Sequence, residues 1–511
     1  MKTVYYQASI SPANLIVLEN GIIRKFLLEE KQQWDIGRTT PDIKKDISLE
    51  SKIASRNHGK IQNINGSWYY IELGSLNGTY LNGKKIQTTA NKVSNPIQLN
   101  NGDVLRINSK ELNRLDNNGV WMLFSTETIG NEWKIKKIEN KKCYIGRDSE
   151  KNDIVIPLPY ISKSHASVFY NDGKYYIEDC GSKAGTWING YRIQGKVELY
   201  EKDLITICDI TMIYTDGKLI YNIPRCKTDF VKEEKEIFEA EHNKIERPIV
   251  LRADIKTRKV PDNSGHGMKE LIRDVKVNVR EGALVALLGG TGAGKSTVMN
   301  CLNGMDTEGT EGKVLYKGVD LLKNFERMRA LIGSVPQGEV FHETLTVEQE
   351  LTHAAVHRLP GDTKKSEIKS RVDYTLHQLG IEAIRKNRIS KCSGGERRRV
   401  NIGIELVADR QLLCMDEPDA GLDPGNKRKL FETLRSLAHD EGKTILVIIH
   451  DVSDIDLFDE IIIMNKVNNI GRMAFAGTPD DAREYFGVDI KDVYQLIAQN
   501  PEKYTLGRGI N

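Results

Sequence analysis

The spacing of apolar and polar residues divides the chain into a β-rich first half and a mixed second half. In the first half, alternating segments such as 67–73 and 174–179 lie between turns rich in Asn, Asp and Gly. Many short strands separated by turn residues are typical of β-sandwiches. From about Pro248 onward, apolar strand-like runs alternate with helical patterns. That alternation predicts an α/β domain with a substantial parallel component in its sheet.

The β-rich half contains an internal repeat. Three short motifs recur in the same order, first at 36–38, 55–58 and 77–83, and then at 145–147, 162–165 and 184–190. The two histidines of the repeat, His58 and His165, are as far apart as the two threonines, Thr79 and Thr186. Two domains of ordinary size therefore follow each other. We predict their limits at 1–112 and 113–224.

The segment between the two halves is charged. Residues 231–247 are rich in Lys and Glu and contain few apolar side chains. We expect a solvated linker over 225–247, and an exposed helix supported by opposite charges three or four positions apart is the alternative. The predicted layout is completed by the α/β domain over 248–490 and a C-terminal tail over 491–511.

Composition and charge narrow the functional class. The chain has 511 residues, which is too many for one hydrophobic core. Its 74 basic and 71 acidic residues give a net charge of +3, so no nucleic-acid partner is expected. The seven scattered cysteines form no C-x-x-C pair and fit a reducing compartment. Because neither a signal peptide nor a long apolar run is visible, we expect a cytoplasmic location, peripheral to the cell membrane through a partner.

The most specific chemical motif begins at Gly289. Residues 289–296 have the form G-x-x-x-x-G-K-S, between an apolar strand over 283–288 and a segment compatible with a helix. Glycines let backbone amides close around phosphate oxygens, and the helix N-terminus adds partial positive charge. The motif predicts a nucleotide site formed by Gly289, Gly290, Thr291, Gly292, Ala293, Gly294, Lys295, Ser296 and Thr297.

Further motifs follow the phosphate loop. Gln337 follows a strand, residues 392–396 open a helix, one apolar strand ends at 416–417, and another ends at His450. Together with the phosphate loop, these motifs resemble the nucleotide-binding domain of ATP-binding cassette (ABC) proteins. The fold class expected for the whole chain is therefore two all-β sandwiches followed by an α/β P-loop ATPase domain with a helical subdomain.

The ABC resemblance implies roles for individual residues. Glu417 would orient or deprotonate the attacking water, assisted by Gln337 and His450. Ser296, Gln337 and Asp416 would be the Mg²⁺ ligands. The signature residues Ser393, Gly394, Gly395 and Glu396 would contact the ATP of a second subunit, and Asp423 would belong to the D-loop. The resemblance thus implies ATP and Mg²⁺ as cofactors, and a homodimer or a paired ABC ATPase domain.

Three stretches, 345–348, 393–400 and 477–487, resemble the G subfamily of ABC transporters. This implies an ATPase that works with a membrane-spanning domain, either a separate subunit or a further part of the polypeptide. The alternative is a soluble ABC ATPase that acts as a phospho-regulated switch or scaffold without transport. In addition, no aromatic residue lies between Phe238 and Tyr316, where the family carries an adenine-stacking side chain. We therefore expect modest selectivity between ATP and GTP.

The repeated motifs of the first half resemble the forkhead-associated (FHA) domain, which binds phosphothreonine peptides. The resemblance implies that Arg38 and Ser55 bind the phosphate with Arg56 beside them, and that Asn77 contacts the peptide backbone. His58 is expected to be structural. A phosphothreonine-containing protein is therefore the implied partner.

The second copy of the FHA motifs departs from the pattern at one position. Arg147, Ser162 and Lys163 are present, but Ala184 replaces the peptide-contacting asparagine. Since alanine offers no side-chain hydrogen bond, we expect weaker or altered phosphopeptide binding, or a purely structural role.

Overall fold

The computed structural model divides the chain into two compact units. The first contains the N-terminal β-sandwich, and the second contains another β-sandwich together with the α/β domain. The structure describes residues 13–505 apart from 20–21, 30, 40–43, 65–66, 82–83, 90–92, 101–102, 109–118, 127–133, 140, 202, 216, 223–246, 248 and 263–266. All of the predicted linker except Arg247 lies outside the described residues.

The first sandwich consists of two sheets. One sheet has the strand order Ile22–Leu28, Ala13–Glu19, Val120–Ser125, Val104–Ile107, Tyr80–Leu81 and Lys84–Lys85. The other has the order Ile47–Leu49, Gln33–Arg38, Gly59–Ile64, Ser67–Glu72 and Ile97–Gln98. Its core is aromatic and aliphatic, with the rings of Trp34 and Trp68 5.2 Å apart. The predicted sandwich is confirmed.

The first sandwich extends past the predicted domain limit at residue 112. Val120–Ser125 pairs with Ala13–Glu19 and with Val104–Ile107, so this strand lies inside the first sheet. A polar segment precedes the strand in the sequence. Such a segment is equally compatible with a domain boundary and with a loop inside a domain.

The second sandwich repeats this architecture. One sheet has the order Lys134–Lys137, Lys218–Asn222, Ile210–Thr215, Leu204–Ile207, Trp187–Ile188 and Tyr191–Arg192. The other has the order Ile154–Val155, Cys143–Gly146, Ala166–Asn171, Lys174–Asp179 and Lys196–Leu199. The first three residues of Ala166–Asn171 and all six residues of Ile210–Thr215 are buried.

The α/β domain is built on one large mixed sheet. Its strands lie in the order Thr310–Tyr316, Ile249–Pro261, Met268–Arg280, Ile470–Gly477, Glu460–Val467, Leu284–Gly289, Thr444–Ile448, Leu412–Asp416 and Ile332–Val335. The last four of these strands are parallel and fully or almost fully buried. Their carboxyl ends therefore meet at one edge, where α/β proteins bind ligands. The short strand Val319–Asp320 precedes the second helix.

Eight α-helices of the α/β domain are described. They are α1 Lys295–Leu302, α2 Leu321–Met328, α3 Val347–Arg358, α4 Lys365–Gln378, α5 Gly394–Leu406, α6 Pro424–His439, α7 Pro479–Phe486 and α8 Ile490–Gln499. Helices α3, α4 and α5 pack on one another and form the expected helical subdomain. Among the described residues, no helix has the length and apolar character needed to cross a membrane.

The predicted tail begins inside the α/β domain. Ile490, Val493 and Ile497 of α8 are buried in the same core as the central strands. Hence the domain continues beyond residue 490, because the apolar face of α8 requires a partner surface.

Candidate functional site

The phosphate loop joins a buried strand to α1. The strand Leu284–Gly289 leads directly into the loop, and α1 begins at Lys295, with Thr297 in its first turn. Gly294 precedes the helix at φ 86°, and a Cβ there would lie 2.6 Å from Ile272 Cγ2. Only glycine combines this left-handed conformation with so close an approach. The strand–loop–helix arrangement predicted from the sequence is confirmed.

Lys295 lies beneath the phosphate loop. Its side chain is 8% exposed, and its Nζ donates hydrogen bonds to the carbonyls of Gly289 at 2.9 Å and Gly290 at 3.3 Å. Burial lowers the pKa of Lys295, against the opposing charges of Glu417 and Asp416. The ammonium is therefore a buried donor close to two carboxylates.

Asp416 and Ser296 form the oxygen-rich part of the site. Asp416 ends the strand Leu412–Asp416, and the Ser296 hydroxyl donates a hydrogen bond to it. Burial raises the pKa of Asp416, and the negative charge of Glu417 acts in the same direction. A hydroxyl and a carboxylate are donors that suit Mg²⁺, which takes few protein ligands when it is bound together with phosphates.

Glu417 is held between two side chains from neighbouring strand ends. Gln337 Nε2 donates to Glu417 Oε2 at 2.7 Å, and His450 Nε2 lies 2.7 Å from Glu417 Oε1. These three residues follow the adjacent parallel strands Ile332–Val335, Leu412–Asp416 and Thr444–Ile448. The backbone at Glu417 has φ 48°, an uncommon value for a residue with a Cβ. The structure thus brings the three predicted catalytic residues together.

The signature motif forms the start of α5. The Ser393 hydroxyl accepts from the Glu396 amide at 3.4 Å, and Glu396 Oε2 accepts from the Ser393 amide at 2.8 Å. This reciprocal capping box leaves Gly394 and Gly395 in the first turn, where backbone N–H groups lack intrahelical partners. Among the described residues, no hydrogen bond joins this motif to the phosphate loop. Glu396 therefore serves first as a helix cap.

Asp423 begins the following helix. Its carboxylate accepts from the Asn426 amide at 3.1 Å and from Asn426 Nδ2 at 2.6 Å, so it is the N-cap of α6. These hydrogen bonds lower the pKa of Asp423. The D-loop role that the resemblance implied for Asp423 remains a prediction.

Two arginines of α5 were not singled out by the sequence motifs. Arg398 Nη1 donates to the Gln337 carbonyl at 2.7 Å. Arg397 Nη2 donates to Glu339 at 2.7 Å and to Glu343 at 2.5 Å. In the sequence, the only sign of these contacts was the run of three arginines after Glu396. The residues that Arg397 and Arg398 contact lie more than fifty positions earlier in the chain. Both contacts connect the signature helix to the segment that follows Gln337.

In the first sandwich, the predicted phosphopeptide residues lie on neighbouring loops. Arg38 Nε donates to the Ala54 carbonyl at 3.2 Å, and the Ser55 hydroxyl accepts from the Leu76 amide at 3.1 Å. Asn77 Nδ2 donates to the Ile53 carbonyl at 2.7 Å, and Arg56 is exposed. These hydrogen bonds bring the loops at 53–56 and 75–77 together.

His58 supports these loops from below. It is fully buried, accepts from the Ser55 amide through Nδ1 at 3.0 Å, and lies 3.2 Å from Thr79 Oγ1 through Nε2. Burial lowers the pKa of His58 against the attraction of Glu72, so the ring is kept neutral. Its environment agrees with the expected structural role.

The second sandwich reproduces part of this loop arrangement. Arg147 Nε donates to the Ile161 carbonyl at 3.0 Å, and the buried Ser162 hydroxyl lies 3.4 Å from the Lys183 amide. His165 is buried like His58, and its Nε2 lies 3.2 Å from the Gly185 carbonyl. Arg147 and Lys163 also contact α4, a relationship that the sequence did not suggest.

Comparisons with protein families agree with both assignments. Residues 272–420 match the ABC transporter family, and residues 34–108 and 143–208 match the FHA domain. The ABC transporter ATP-binding/permease protein Rv1747 of Mycobacterium tuberculosis is 32% identical over 360 residues, which are 70% of this chain and 38% of that protein. ABC transporter G family member 26 of Arabidopsis thaliana is 31% identical over 253 residues, 48% of this chain and 35% of the relative. The chain thus spans little more than a third of these relatives.

Two solved structures of ABC proteins show partial similarity to this chain. CbiO1 of Clostridium perfringens, part of an ABC transporter complex, is 25% identical with a TM-score of 0.41, and the match covers 50% of this chain and 96% of that one. A dimeric cassette, MJ0796, bound to ADP and phosphate is 24% identical with a TM-score of 0.38, over 42% and 93% of the two chains. From the family matches and the site geometry, the chain joins two FHA domains to an ATPase domain of the ABC transporter family.

Proposed function

We propose that this chain is the ATP-hydrolysing part of an ABC transporter whose activity is controlled by phosphothreonine recognition in its FHA domains. The observation that carries the catalytic half is the position of Glu417. Its carboxylate is fixed by Gln337 and His450, one residue after Asp416 and close to the Lys295 ammonium.

The phosphate loop and α1 supply the proposed binding site for the ATP phosphates. The backbone amides of 289–296 and the N-terminus of α1 attract anions. Lys295 adds a positive charge that can turn from the loop carbonyls to phosphate oxygens. Ser296, Asp416 and the amide oxygen of Gln337 are the proposed Mg²⁺ ligands, and this set consists of the oxygen donors that Mg²⁺ prefers. The bound ion would neutralise charge on the phosphates.

Glu417 is the proposed general base. Its two carboxylate oxygens accept from or contact Gln337 and His450, and these contacts restrict its rotamer. A base positioned in this way can orient a water molecule and accept its proton. His450 is exposed on one side and can donate to an oxygen on which negative charge develops. Gln337 links this proton-accepting group to the proposed Mg²⁺ ligands.

A second ATPase domain is part of the proposal. The first turn of α5 presents the amides of Gly394 and Gly395 at a helix N-terminus, a favourable position for a phosphate bound to another copy. Asp423 would lie at the same interface. The chain contains one match to the ABC transporter family, so a homodimer or a paired ABC ATPase domain would complete two composite sites.

Transport is proposed from the relatives. The Mycobacterium tuberculosis relative is described as an ATP-binding/permease protein, and the Arabidopsis relative as a G-family transporter. The proposed partner is therefore a membrane-spanning transporter domain, on a separate subunit or on a further part of the polypeptide. With that partner, the protein would lie at the cytoplasmic face of a membrane.

The first FHA domain is the proposed phosphothreonine reader. Arg38 uses only Nε in its described side-chain hydrogen bond, which leaves its terminal nitrogens for a phosphate. Guanidinium groups bind phosphate through two parallel hydrogen bonds, and the Ser55 hydroxyl can add a donor. Asn77 lies on the neighbouring loop, where a peptide backbone could reach its amide oxygen.

The catalytic proposal is tested with Glu417→Gln. The amide keeps the shape of the side chain but cannot accept a proton, so ATP hydrolysis should fall by at least a hundredfold while ATP binding is kept. ATP should also convert the variant to a stable dimer in light scattering. The matched control is Glu432→Gln, which removes an exposed carboxylate of α6 that pairs with Arg428. Turnover equal to that of the control would exclude Glu417 as the base.

The regulatory proposal is tested with Arg38→Ala. Binding of the full chain to an immobilised degenerate phosphothreonine peptide library should weaken by at least tenfold, since the bidentate phosphate contact is lost. Lys84→Ala, which removes an exposed positive charge from the same sandwich, should bind like the wild-type chain. Unchanged binding in Arg38→Ala would contradict the assignment of this loop.

The transport proposal needs the membrane domain itself. ATPase activity should rise when the chain is reconstituted in lipid vesicles with the membrane-spanning domain encoded on the same or a neighbouring reading frame. If no such domain is encoded there and no membrane protein co-purifies with the chain, the alternative of a soluble switch ATPase takes precedence.

A further inference from the structure

The phosphate-binding residues of the second FHA domain contact acidic side chains of the helical subdomain. Lys163 Nζ lies 2.9 Å from Glu367 Oε2, and Arg147 Nη1 donates to Glu367 Oε1 at 3.3 Å. The backbone amide of Lys163 donates to Asp362 Oδ2 at 2.6 Å. Asp362 precedes α4 and Glu367 lies in its first turn. The carboxylates of Asp362 and Glu367 therefore contact the residues that would bind a phosphate according to the FHA resemblance.

A third basic residue strengthens the same contact. Lys183 lies in the loop before Ala184, and its Nζ donates to the carbonyls of His357 and Leu359, the latter at 2.9 Å. These carbonyls belong to the C-terminal end of α3, where unpaired carbonyl groups and the helix dipole favour a cation. The loop that would contact a peptide thus caps a helix of the ATPase domain instead.

The Glu367 carboxylate lies between two positively charged side chains, Arg147 and Lys163, as a bound phosphate would. Burial acts to raise the pKa of Glu367, but the hydrogen bonds from Lys163 and from the Lys364 amide, together with the charges of Arg147 and Lys163, outweigh it and lower that pKa. The carboxylate is therefore ionised between a guanidinium and an ammonium, as a phosphate would be. By contrast, no acidic side chain pairs with Arg38 of the first FHA domain among the described residues.

Beside the ion pair is a cleft with room for a larger anion. It has a volume of about 340 Å³, and its lining includes Arg147, Thr363, Glu367 and Arg371. Arg147 Nη2 is buried and has no hydrogen-bond partner among the described residues. A carboxylate thus leaves one donor of Arg147 unused, whereas a phosphate, with an additional oxygen and greater charge, could use it.

We propose that Asp362 and Glu367 form an internal ligand of the second FHA domain, and that a phosphothreonine segment binds there only by displacing them from Arg147 and Lys163. The proposal rests on the phosphate-binding role proposed for Arg147 and Lys163. According to this proposal, the helical subdomain competes with the phosphopeptide for the second FHA domain. The same subdomain carries the signature motif. Phosphopeptide binding would then free α3 and α4 from the FHA domain.

The competition is measured in an Arg38→Ala background, where the first FHA domain no longer contributes. The probe is an immobilised degenerate phosphothreonine peptide library, with the unphosphorylated library as reference. Glu367→Gln should increase the affinity about tenfold, because apparent affinity scales with the fraction of open sites. The matched control is Asp373→Asn, which removes a carboxylate of the same helix that pairs with Arg385. It should leave the affinity unchanged.

The docked state is measured separately by zero-length carbodiimide cross-linking of the full chain. A Lys163–Glu367 link should form in the wild-type chain and disappear in Glu367→Gln. The Lys174–Glu198 pair, whose Nζ–Oε2 distance is also 2.9 Å, is the internal reference and should be linked in both. Absence of the Lys163–Glu367 link while the reference link forms would overturn the proposal.

The outcomes separate this proposal from the role on which it rests. If Arg147→Ala weakens library binding but Glu367→Gln and Asp373→Asn bind equally well, the second domain is a phosphothreonine reader without an internal ligand. If none of these substitutions changes library binding, the phosphate-binding role of Arg147 is wrong as well. A cross-link together with a selective gain in Glu367→Gln is the result expected.

Discussion

The guanidinium of Arg398 donates a hydrogen bond to the main-chain carbonyl of Gln337 over 2.7 Å. Arg398 lies in the signature helix α5, and the side chain of Gln337 contacts the proposed base Glu417. Arg398 thus contacts the backbone of Gln337, and the side chain of Gln337 contacts the carboxylate of Glu417. These two hydrogen bonds connect the signature helix to Glu417 through Gln337.

This relationship predicts a selective effect of Arg398→Gln. The shorter amide side chain cannot maintain the charged hydrogen bond, whose loss at a half-buried position should lower kcat for ATP about fivefold. The KM for ATP should change by less than about twofold, because Lys295 and the phosphate loop are untouched. Steady-state ATPase kinetics of the full chain measure both constants.

The neighbouring arginine provides the control. The side chain of Arg399 makes no hydrogen bond or ion pair among the described residues, so Arg399→Gln removes the same charge from the same helix without breaking a side-chain contact. Its kcat should equal that of the wild-type chain. Equal losses in the two variants would mean that the charge of α5, and not the Gln337 contact, affects catalysis.

The capping box at Ser393 predicts a local change in stability. Ser393→Ala removes the hydroxyl that accepts from the Glu396 amide, and loss of such an N-cap costs about 1 kcal/mol. Amide hydrogen exchange in the first turn of α5 should therefore increase about fivefold. Hydrogen-exchange mass spectrometry of the full chain measures this, and ATPase activity should fall in parallel.

The chain offers a matched capping box at α7. The Thr478 hydroxyl accepts from the Asp481 amide at 3.1 Å, and the Asp481 carboxylate accepts from the Thr478 amide at 3.0 Å. Thr478→Ala should increase exchange in α7 and leave both α5 and ATP hydrolysis unchanged. If Ser393→Ala showed faster exchange in α5 but unchanged ATP hydrolysis, the N-cap at Ser393 would stabilise the helix without being needed for activity.

Local motifs account for what the sequence could predict. The loop at 289–296 and the residues at the ends of parallel strands were predictable, because strand–loop–helix units and sheet edges depend on neighbours in the sequence. The contact of Arg398 with Gln337 spans 61 positions, and that of Arg147 with Glu367 spans 220. Such long-range contacts depend on how the helices and strands pack against one another in the folded chain. No local pattern in the sequence specifies them.

The missing adenine-stacking aromatic predicts modest nucleotide selectivity. The strand Ile249–Pro261 carries Lys259 and Val260 where the family's aromatic residue is expected. Stacking on an aromatic ring contributes about 1–3 kcal/mol in other base-binding proteins. ATP should therefore be preferred over GTP by less than a hundredfold in competition binding. Val260→Tyr should tighten ATP binding about tenfold, while Ile135→Tyr, an exposed position in the second sandwich, should not.

The raised pKa of Asp416 predicts that Asp416→Asn stabilises the nucleotide-free chain. Burial raises this pKa above its ordinary value of 3.8. The folded state therefore binds a proton more readily than the unfolded state, and stability is lost as the pH rises through the folded pKa. Asparagine does not ionise, so the melting temperature of Asp416→Asn should exceed that of the wild type by a margin that grows as the pH rises above the ordinary carboxyl pKa. Mg²⁺-dependent ATP hydrolysis should nevertheless be lost.

Asp451 supplies a control of opposite sign for this pH dependence. Its hydrogen bond from Lys427, 2.6 Å long, lowers its pKa despite partial burial. The stability that this carboxylate contributes is present above the ordinary pKa and is lost as the pH falls through the lowered value. Asp451→Asn should accordingly lower the melting temperature at pH 7 and have little effect in acid. If Asp416→Asn lowered the melting temperature at pH 7 as Asp451→Asn should, the destabilising effect of burial at Asp416 would be contradicted.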